Sequence, residues 1–255
     1  HSGHGAMNLV SGITFSCDVV FYEIGKGFYY SDNPDGMQDT FRAYGLGSLT
    51  GIDLNGEIAG RVPDADWKQK YYKDLGYSDE DSAWKPGDNC NIAIGQGDVL
   101  VTCLQMAVSY CSIANRGPAW RPHVLKGVRS KVGEGFVSEY EPEKILDVEE
   151  RSDFRELVER GMWGVIYEES PSQTEHWTSL SVSVAGKTGT AEQPAPGNAC
   201  WFGCYAPSDD PKYVVFATVD GGDWGSTTAM LVARDTIGAI YGEPDTSSAV
   251  YAVGD

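Results

Sequence analysis

The chain has 255 residues, 41% of them hydrophobic, so it is long enough to bury a substantial core and is not expected to be disordered. Its 37 acidic and 19 basic side chains give a formal net charge of -18, which argues against nucleic acid and anionic membrane surfaces as partners. Its apolar runs fall well short of the roughly 20 residues needed to cross a bilayer, and its start does not resemble a signal peptide. Membrane attachment is therefore expected only through a segment outside this sequence.

The six cysteines include no Cys-X-X-Cys pair, and the sequence contains four histidines, so we predict no metal site. Cys103 and Cys111 fall on one predicted helix, about 12 Å apart along its axis, which is too far for a disulfide. We expect most of the cysteines to be small buried core residues.

The first predicted feature is a junction of two short helices at Ser16-Cys17-Asp18. A candidate N-cap at Asn8 and apolar residues one helical turn apart predict the first helix, and the apolar stretch 19–24 predicts the second. The alternative is that Ser16 or Asp18 merely caps the second helix. Residues 25–56 are rich in Gly, Asp and Asn, and we predict mostly loops and short helical turns there.

The middle of the chain predicts a tight turn at Ile94-Gly95-Gln96-Gly97, packed closely against another segment and followed by a helix that ends near Asn115. Short strands are predicted over 123–129 and 144–148. An amphipathic helix capped by Ser152 follows.

The last part predicts a strand that leads into Lys187, then two neighbouring antiparallel strands over 198–206 and 212–219. A final helix is predicted over 226–241, and beyond residue 242 the composition predicts a frayed tail. No repeat or linker is evident, so we predict one domain.

The strand around Lys187-Thr188-Gly189-Thr190 carries the strongest chemical signal. Lys187 places an ammonium at a strand edge, and Gly189 leaves that edge open, so a ligand strand can approach and share its backbone hydrogen bonds. Thr188 and Thr190 lie two residues apart and present their hydroxyls on one face. The alternative is a hairpin edge with a solvated lysine.

Several motifs occur together in the order typical of class B penicillin-binding proteins, and the chain resembles such a transpeptidase domain from about residue 8 to residue 242. The motifs are Ser16-Cys17-Asp18, Thr50-Gly51-Ile52-Asp53-Leu54, Gly60-Arg61-Val62-Pro63, Ile94-Gly95-Gln96-Gly97, Pro122-His123 and Lys187-Thr188-Gly189-Thr190-Ala191-Glu192. The resemblance implies an α+β fold whose central antiparallel β-sheet is flanked by helices on both faces. It also implies that the N-terminal part of the domain is missing, with residues 1–242 as its C-terminal portion and 243–255 as a disordered tail.

The implied activity is D,D-transpeptidation of peptidoglycan stem peptides through an acyl-serine intermediate that β-lactams also form. The family's nucleophile lies in a Ser-X-X-Lys motif several dozen residues before the position of Ser16, so it is expected outside this chain. The literal match Ser82-Ala83-Trp84-Lys85 follows Ser16 and precedes Pro86, which we expect to stop a helix. We interpret it as a coincidence.

The resemblance assigns roles to the residues that remain. Ser16 bridges the lysine of the Ser-X-X-Lys motif and Lys187, and relays a proton to the leaving amine during acylation and away from the incoming amine during transfer. Asp18 stands where the commonest pattern has Asn, and Lys187 supplies positive charge. Thr188 and Thr190 bind the substrate carboxylate across the open edge at Gly189, and the Thr190 N–H contributes to the oxyanion hole. No metal or organic cofactor is implied.

The implied partners are stem peptides on lipid-linked glycan strands, β-lactam antibiotics and a cell-wall glycosyltransferase. The implied location is the extracytoplasmic face of the cell membrane. Two alternatives stay open: a D,D-carboxypeptidase or serine β-lactamase, which hydrolyses the acyl-enzyme, and a non-catalytic module that acts as a β-lactam sensor or cell-wall scaffold.

Overall fold

The computed structural model describes residues 4–149, 152–193 and 197–243. Ten helices and seven strands lie within these ranges. The helices are α1 (Leu9–Thr14), α2 (Asp18–Tyr29), α3 (Gly36–Ala43), α4 (Ala65–Asp74), α5 (Asp79–Ser82), α6 (Pro86–Ala93), α7 (Cys103–Ala114), α8 (Ser152–Tyr167), α9 (Pro171–Thr178) and α10 (Ala229–Tyr241). The strands are β1 (Pro118–Trp120), β2 (Gly127–Arg129), β3 (Phe136–Glu139), β4 (Lys144–Asp147), β5 (Ala185–Ala191), β6 (Asn198–Ala206) and β7 (Tyr213–Gly222).

The main sheet is antiparallel, in the order β5-β6-β7. Its register pairs Lys187 with Gly203 and Trp201 with Thr218. β6 is the central strand, so β5 is an edge strand of this sheet within the described ranges. Two small sheets, β1-β4 and β2-β3, lie apart from it. The predicted pair of neighbouring antiparallel strands is therefore confirmed.

Helices cover both faces of the main sheet because the side chains of β6 alternate between two cores. On one face, the buried Phe202 and its neighbours pack with α9 and α10 around Trp177 and Met230. On the other face, Tyr205 packs with Tyr110 and residues of α8. Burying one such large side chain stabilises the fold by about 1.5–3 kcal/mol. This arrangement confirms the α+β fold that the resemblance implied.

α1 is seated on α8 through glycines that leave no room for a side chain. A Cβ on Gly161 would lie 2.7 Å from the Cβ of Ile13, closer than real Cβ atoms approach one another. The hydroxyl of Thr14 donates a hydrogen bond to the Gly161 carbonyl at 3.3 Å. Because α1 ends at Thr14, this contact also fixes where Ser16 emerges.

Residues 25–56 are mostly loops and turns, as predicted, but they also contain the end of α2 and the whole of α3. Gly25 lies inside α2 and is buried where a Cβ would lie 2.6 Å from the Asn89 carbonyl, so close packing and not loop flexibility explains this glycine. Pro86 is the first residue of α6, a position that favours proline, and no helix runs from Ser82 to Lys85. The final helix begins at residue 229, three residues later than predicted.

The end of the described chain is anchored by a hydrogen bond from the Ser181 N–H to Glu243 Oε1 at 3.1 Å. Glu243 is the first residue of the predicted tail, and the remainder of that tail, residues 244–255, lies outside the described residues. None of the helices in the described ranges has both the length and the hydrophobicity that crossing a membrane would need.

Candidate active site

A cavity of about 870 Å³ lies where the α1–α2 junction, the turn after α6 and the β5 edge meet. It brings together all six residues predicted to act on a substrate. These are Ser16, Asp18, Lys187, Thr188, Gly189 and Thr190. The site is therefore assembled from opposite ends of the described chain by the seating of α1 on α8 and by the sheet.

Ser16 stands at the helix junction in a backbone conformation that is unusual for its residue type. Its φ is 49°, in the left-handed region that residues other than glycine rarely adopt. The N-cap of α2 is Cys17, so neither Ser16 nor Asp18 fills the capping position that the alternative reading required. Such strain tends to occur at functional sites, and Ser16 lines the cavity.

Lys187 joins the two ends of the site by hydrogen bonds to neutral oxygens. Its ammonium donates to Ser16 Oγ, to the Thr188 carbonyl at 3.1 Å and to Thr188 Oγ1 at 3.2 Å. An ammonium only donates, so both hydroxyl oxygens act as acceptors here, and their own hydrogens are left for another partner. Thr190 Oγ1 is in the same situation, since it accepts from the Gly225 N–H at 3.0 Å.

The open edge of β5 presents backbone groups as well as hydroxyls. The Thr190 carbonyl accepts from Gln96 Nε2 at 3.3 Å, so it points away from β6 and toward the cavity. The N–H and C=O of one strand residue point the same way, so the Thr190 N–H also faces the open edge. This contact is also the close packing predicted for the turn at Gln96.

Gly189 has a neighbour that sequence reasoning did not identify. Gly225, in the turn before α10, packs directly against the backbone of Gly189. A Cβ on Gly225 would lie 3.0 Å from the Gly189 nitrogen and 2.8 Å from the Trp201 carbonyl, and closer still to the Gly189 carbonyl. The turn therefore braces β5 from one face.

The charge on Lys187 is set by opposing effects. Desolvation lowers its pKa, while the carboxylates of Glu169 and, to a smaller extent, Asp18 act in the opposite direction. Burial raises the pKa of Glu169, against the attraction of Lys187. Glu169 also lines the cavity but belongs to no recognisable motif, and sequence reasoning missed it. Among the described residues, no cluster of three or more His, Cys, Asp or Glu side chains could hold a metal ion.

The literal Ser-X-X-Lys match does not belong to this site. Ser82 is the last residue of α5, buried, and its hydroxyl donates to the Ser78 carbonyl at 2.7 Å. Lys85 is the N-cap of the next helix. The two side chains therefore do not share one helical turn, which agrees with their interpretation as a coincidence.

The strain at Ser16 leads to a prediction about stability. Glycine adopts the left-handed region without penalty, whereas alanine does not. We therefore expect Ser16→Gly to be more stable than Ser16→Ala by roughly 1 kcal/mol, although both lack the hydroxyl. Urea unfolding of the two variants measures this difference, and equal free energies of unfolding would mean that the backbone at Ser16 is unstrained.

Comparison with known proteins gives a consistent result. A family model described as the penicillin binding protein transpeptidase domain matches residues 1–238. The peptidoglycan D,D-transpeptidase MrdA of Haemophilus influenzae is 29% identical over 249 residues, which cover 91% of this chain and 36% of that protein. The penicillin-binding protein PbpB of Mycolicibacterium smegmatis is 32% identical over 219 residues, which cover 78% of this chain and 30% of that protein.

Solved structures with the same fold include the penicillin-binding protein PBP2 from two species. For PBP2 of Pseudomonas aeruginosa the TM-score is 0.77, at 25% identity, covering 97% of this chain and 52% of that one. For PBP2 of Helicobacter pylori the TM-score is 0.74, at 27% identity, covering 94% of this chain and 41% of that one. The chain spans about a third of the length of the curated relatives that it matches. Because the family model matches nearly the whole length of this chain, the chain belongs to the family of penicillin-binding protein transpeptidase domains.

Proposed function

We propose that this chain is the C-terminal portion of a D,D-transpeptidase domain that cross-links peptidoglycan stem peptides through an acyl-serine intermediate. One observation carries the proposal: Ser16 and Lys187, 171 positions apart, are hydrogen-bonded in a cavity that also contains the open edge of β5. A proton-relaying hydroxyl, a fixed positive charge and an unpaired strand edge are what acyl transfer from a peptide carboxylate end requires.

Recognition of the donor peptide follows from the direction of the hydrogen bonds. Thr188 and Thr190 each have an oxygen that already accepts, so their hydrogens point to an acceptor such as a terminal carboxylate. The Lys187 ammonium adds positive charge to that recognition. The peptide backbone lies along β5 as an added strand, with the Thr190 N–H in the oxyanion hole.

Proton movement passes through Ser16. Because Lys187 donates to Ser16 Oγ, the Ser16 proton is directed away from Lys187. During acylation the acylated serine loses its proton to the lysine of its own Ser-X-X-Lys motif, which passes a proton to Ser16 as Ser16 gives its own to the leaving amine, so Lys187 keeps its charge. During transfer the same path runs in reverse, and the proton leaves the incoming amine.

The acylated serine, in this proposal, is contributed by residues outside this sequence. In the one Ser-X-X-Lys match within the described residues, the serine, Ser82, is buried at the end of α5 and its hydroxyl donates to the Ser78 carbonyl. None of the cavity-lining serines, Ser16 and Ser226, is followed three positions later by lysine. The experiments below therefore use the full-length protein that contains this chain.

Two assays test the function. Full-length protein is incubated with a fluorescent penicillin, and we expect one covalent label per molecule that survives denaturation. A separate, unlabelled sample is given excess nitrocefin, and we expect about one equivalent to be consumed, followed by very slow turnover. Continuous nitrocefin hydrolysis would instead identify a β-lactamase, and release of a terminal amino acid from a stem peptide without cross-linking would identify a carboxypeptidase. Absence of any label would favour the non-catalytic scaffold.

The wider setting is part of the same proposal. The substrates are stem peptides on lipid-linked glycan strands, and the domain works at the extracytoplasmic face of the cell membrane, anchored by a segment outside this sequence. A glycosyltransferase that polymerises glycan is the proposed partner. In support, a relative of this fold was solved in a peptidoglycan synthase complex that coordinates polymerization and crosslinking, and PBP2 of Helicobacter pylori was solved with MreC.

A further inference from the structure

The Glu169 carboxylate has no role in the proton relay or in carboxylate recognition as proposed. Glu169 lies two residues past the end of α8, and its backbone N–H donates to the Gly164 carbonyl at 3.1 Å. Its side chain lines the cavity, and its Oε2 atom is buried with no hydrogen-bond partner among the described residues. Burying a carboxylate oxygen without a partner is costly, so such a group normally has a function.

Lys187 carries a charge that no carboxylate contacts directly within the described residues. Its ammonium is partly buried, and its three hydrogen bonds all go to neutral oxygens of Ser16 and Thr188. Within the described residues no carboxylate forms an ion pair with it. A poorly hydrated ammonium without a counter-ion tends to lose its proton, yet carboxylate recognition requires the charge.

Several titratable groups line the cavity, and their burial decides which carboxylate stabilises the charge on Lys187 most. Besides Glu169 they are Asp18 and Tyr22 on α2 and Glu192 at the end of β5, and the strand residue opposite Lys187 is Gly203. Asp18 and Glu192 are exposed, whereas Glu169 is half-buried. Water screens a buried charge less than an exposed one, so Glu169 exerts the strongest attraction on the ammonium.

We infer that Glu169 is a positioning residue that keeps Lys187 charged without taking its hydrogen bonds, so that the ammonium stays directed at Ser16 and Thr188. The inference rests on the proposed function and adds a residue to it. A direct ion pair would draw Nζ toward the carboxylate. A charge held nearby, with its buried oxygen left unpaired, stabilises the ammonium and leaves all three donors in place.

The test compares the pH profile of penicillin acylation in full-length wild type and Glu169→Gln. Glutamine keeps the shape of the side chain and removes its charge, so the pKa of Lys187 falls. The alkaline limb, along which Lys187 loses its proton, should therefore move to lower pH. At the pH where wild type retains half of its maximal rate, we expect Glu169→Gln to be about two- to fivefold slower relative to its own plateau.

Two control variants separate charge from structure. Glu169→Asp keeps the charge, so its alkaline limb should move back at least part of the way to that of wild type. If Glu169 had a merely structural role, the alkaline limb of Glu169→Asp would be shifted as far as that of Glu169→Gln. Glu168→Gln changes the adjacent residue, which pairs with Arg160 at 2.5 Å on the surface, and should leave the profile unchanged. A Glu169→Gln profile with the limb of wild type would overturn the inference, whatever the plateau rate.

A second readout does not depend on activity. Lysine labelled with carbon-13 at Cε is incorporated, the Lys187 resonance is assigned with Lys187→Ala, and its titration is followed by NMR. We expect the Lys187 midpoint to be lower in Glu169→Gln than in wild type, and an equal midpoint would overturn the inference. If wild type is not acylated at all, the proposed function fails, while this titration still decides whether Glu169 controls the charge on Lys187.

Discussion

Lys187→Ala is expected to lower the rate of acylation by a fluorescent penicillin by about a hundredfold or more. The substitution removes the positive charge that meets the ligand carboxylate and the donor that orients Ser16. It also leaves Thr188 Oγ1 without the hydrogen bond that directs its proton outward. The measurement is the rate of covalent labelling of full-length protein under single-turnover conditions.

The matched control for this variant is Lys212→Ala. Lys212 lies beside β7, exposed, and pairs with Asp210 at 2.7 Å, remote from the cavity lining. We expect this variant to label at the wild-type rate, since an exposed ion pair contributes little. Labelling of Lys187→Ala at the wild-type rate would remove Lys187 from the site and, with it, the basis of the proposed function.

Gly225→Ala is expected to reduce both stability and acylation, although it changes no group that touches a ligand. The added methyl would overlap the Gly189 carbonyl and crowd the Trp201 carbonyl at 2.8 Å, and both atoms belong to paired strands that cannot yield cheaply. We expect the free energy of unfolding to fall by about 1–3 kcal/mol. Displacement of β5 by about 1 Å would slow acylation by on the order of a hundredfold.

Urea unfolding and penicillin labelling measure the two effects of Gly225→Ala. The control is Gly27→Ala in α2, where an added Cβ meets nothing within 4 Å. That substitution should leave acylation unchanged and raise stability slightly, since alanine favours a helix over glycine by about 0.5–1 kcal/mol. Wild-type acylation by a folded Gly225→Ala protein would show that the turn does not brace β5.

The parts of the site that sequence predicted are those with a local pattern. Alternating residues at 181–184 indicate a strand that leads into Lys187, although β5 itself begins at Ala185, and apolar spacing on either side of Ser16 indicates two helices. That these elements meet is not a local property, because 171 positions separate the residues. The expectation came from the resemblance to a family, and the structure brings all six predicted residues to one cavity.

Glu169 shows why the remainder of the site was not predictable. It stands beside Glu168 just past the end of α8, where the local sequence gives no reason to assign the two glutamates different roles. The structure separates them, since Glu168 pairs with Arg160 on the surface and Glu169 lines the cavity. Gly25 is a similar case among the helices, because its close packing against α6 depends on the fold and cannot be inferred from the local sequence.

The direction of the hydrogen bonds at Ser16, Thr188 and Thr190 gives the groove a chemical polarity. Each hydroxyl oxygen already accepts a hydrogen bond from Lys187 or from the Gly225 N–H, so each hydroxyl hydrogen is left to donate to a ligand oxygen. A peptide that ends in a carboxylate brings two oxygens that match this demand. The same peptide with a C-terminal carboxamide has one such oxygen and places an NH₂ group against the hydroxyl donors. Amidation of the C-terminus should therefore weaken binding.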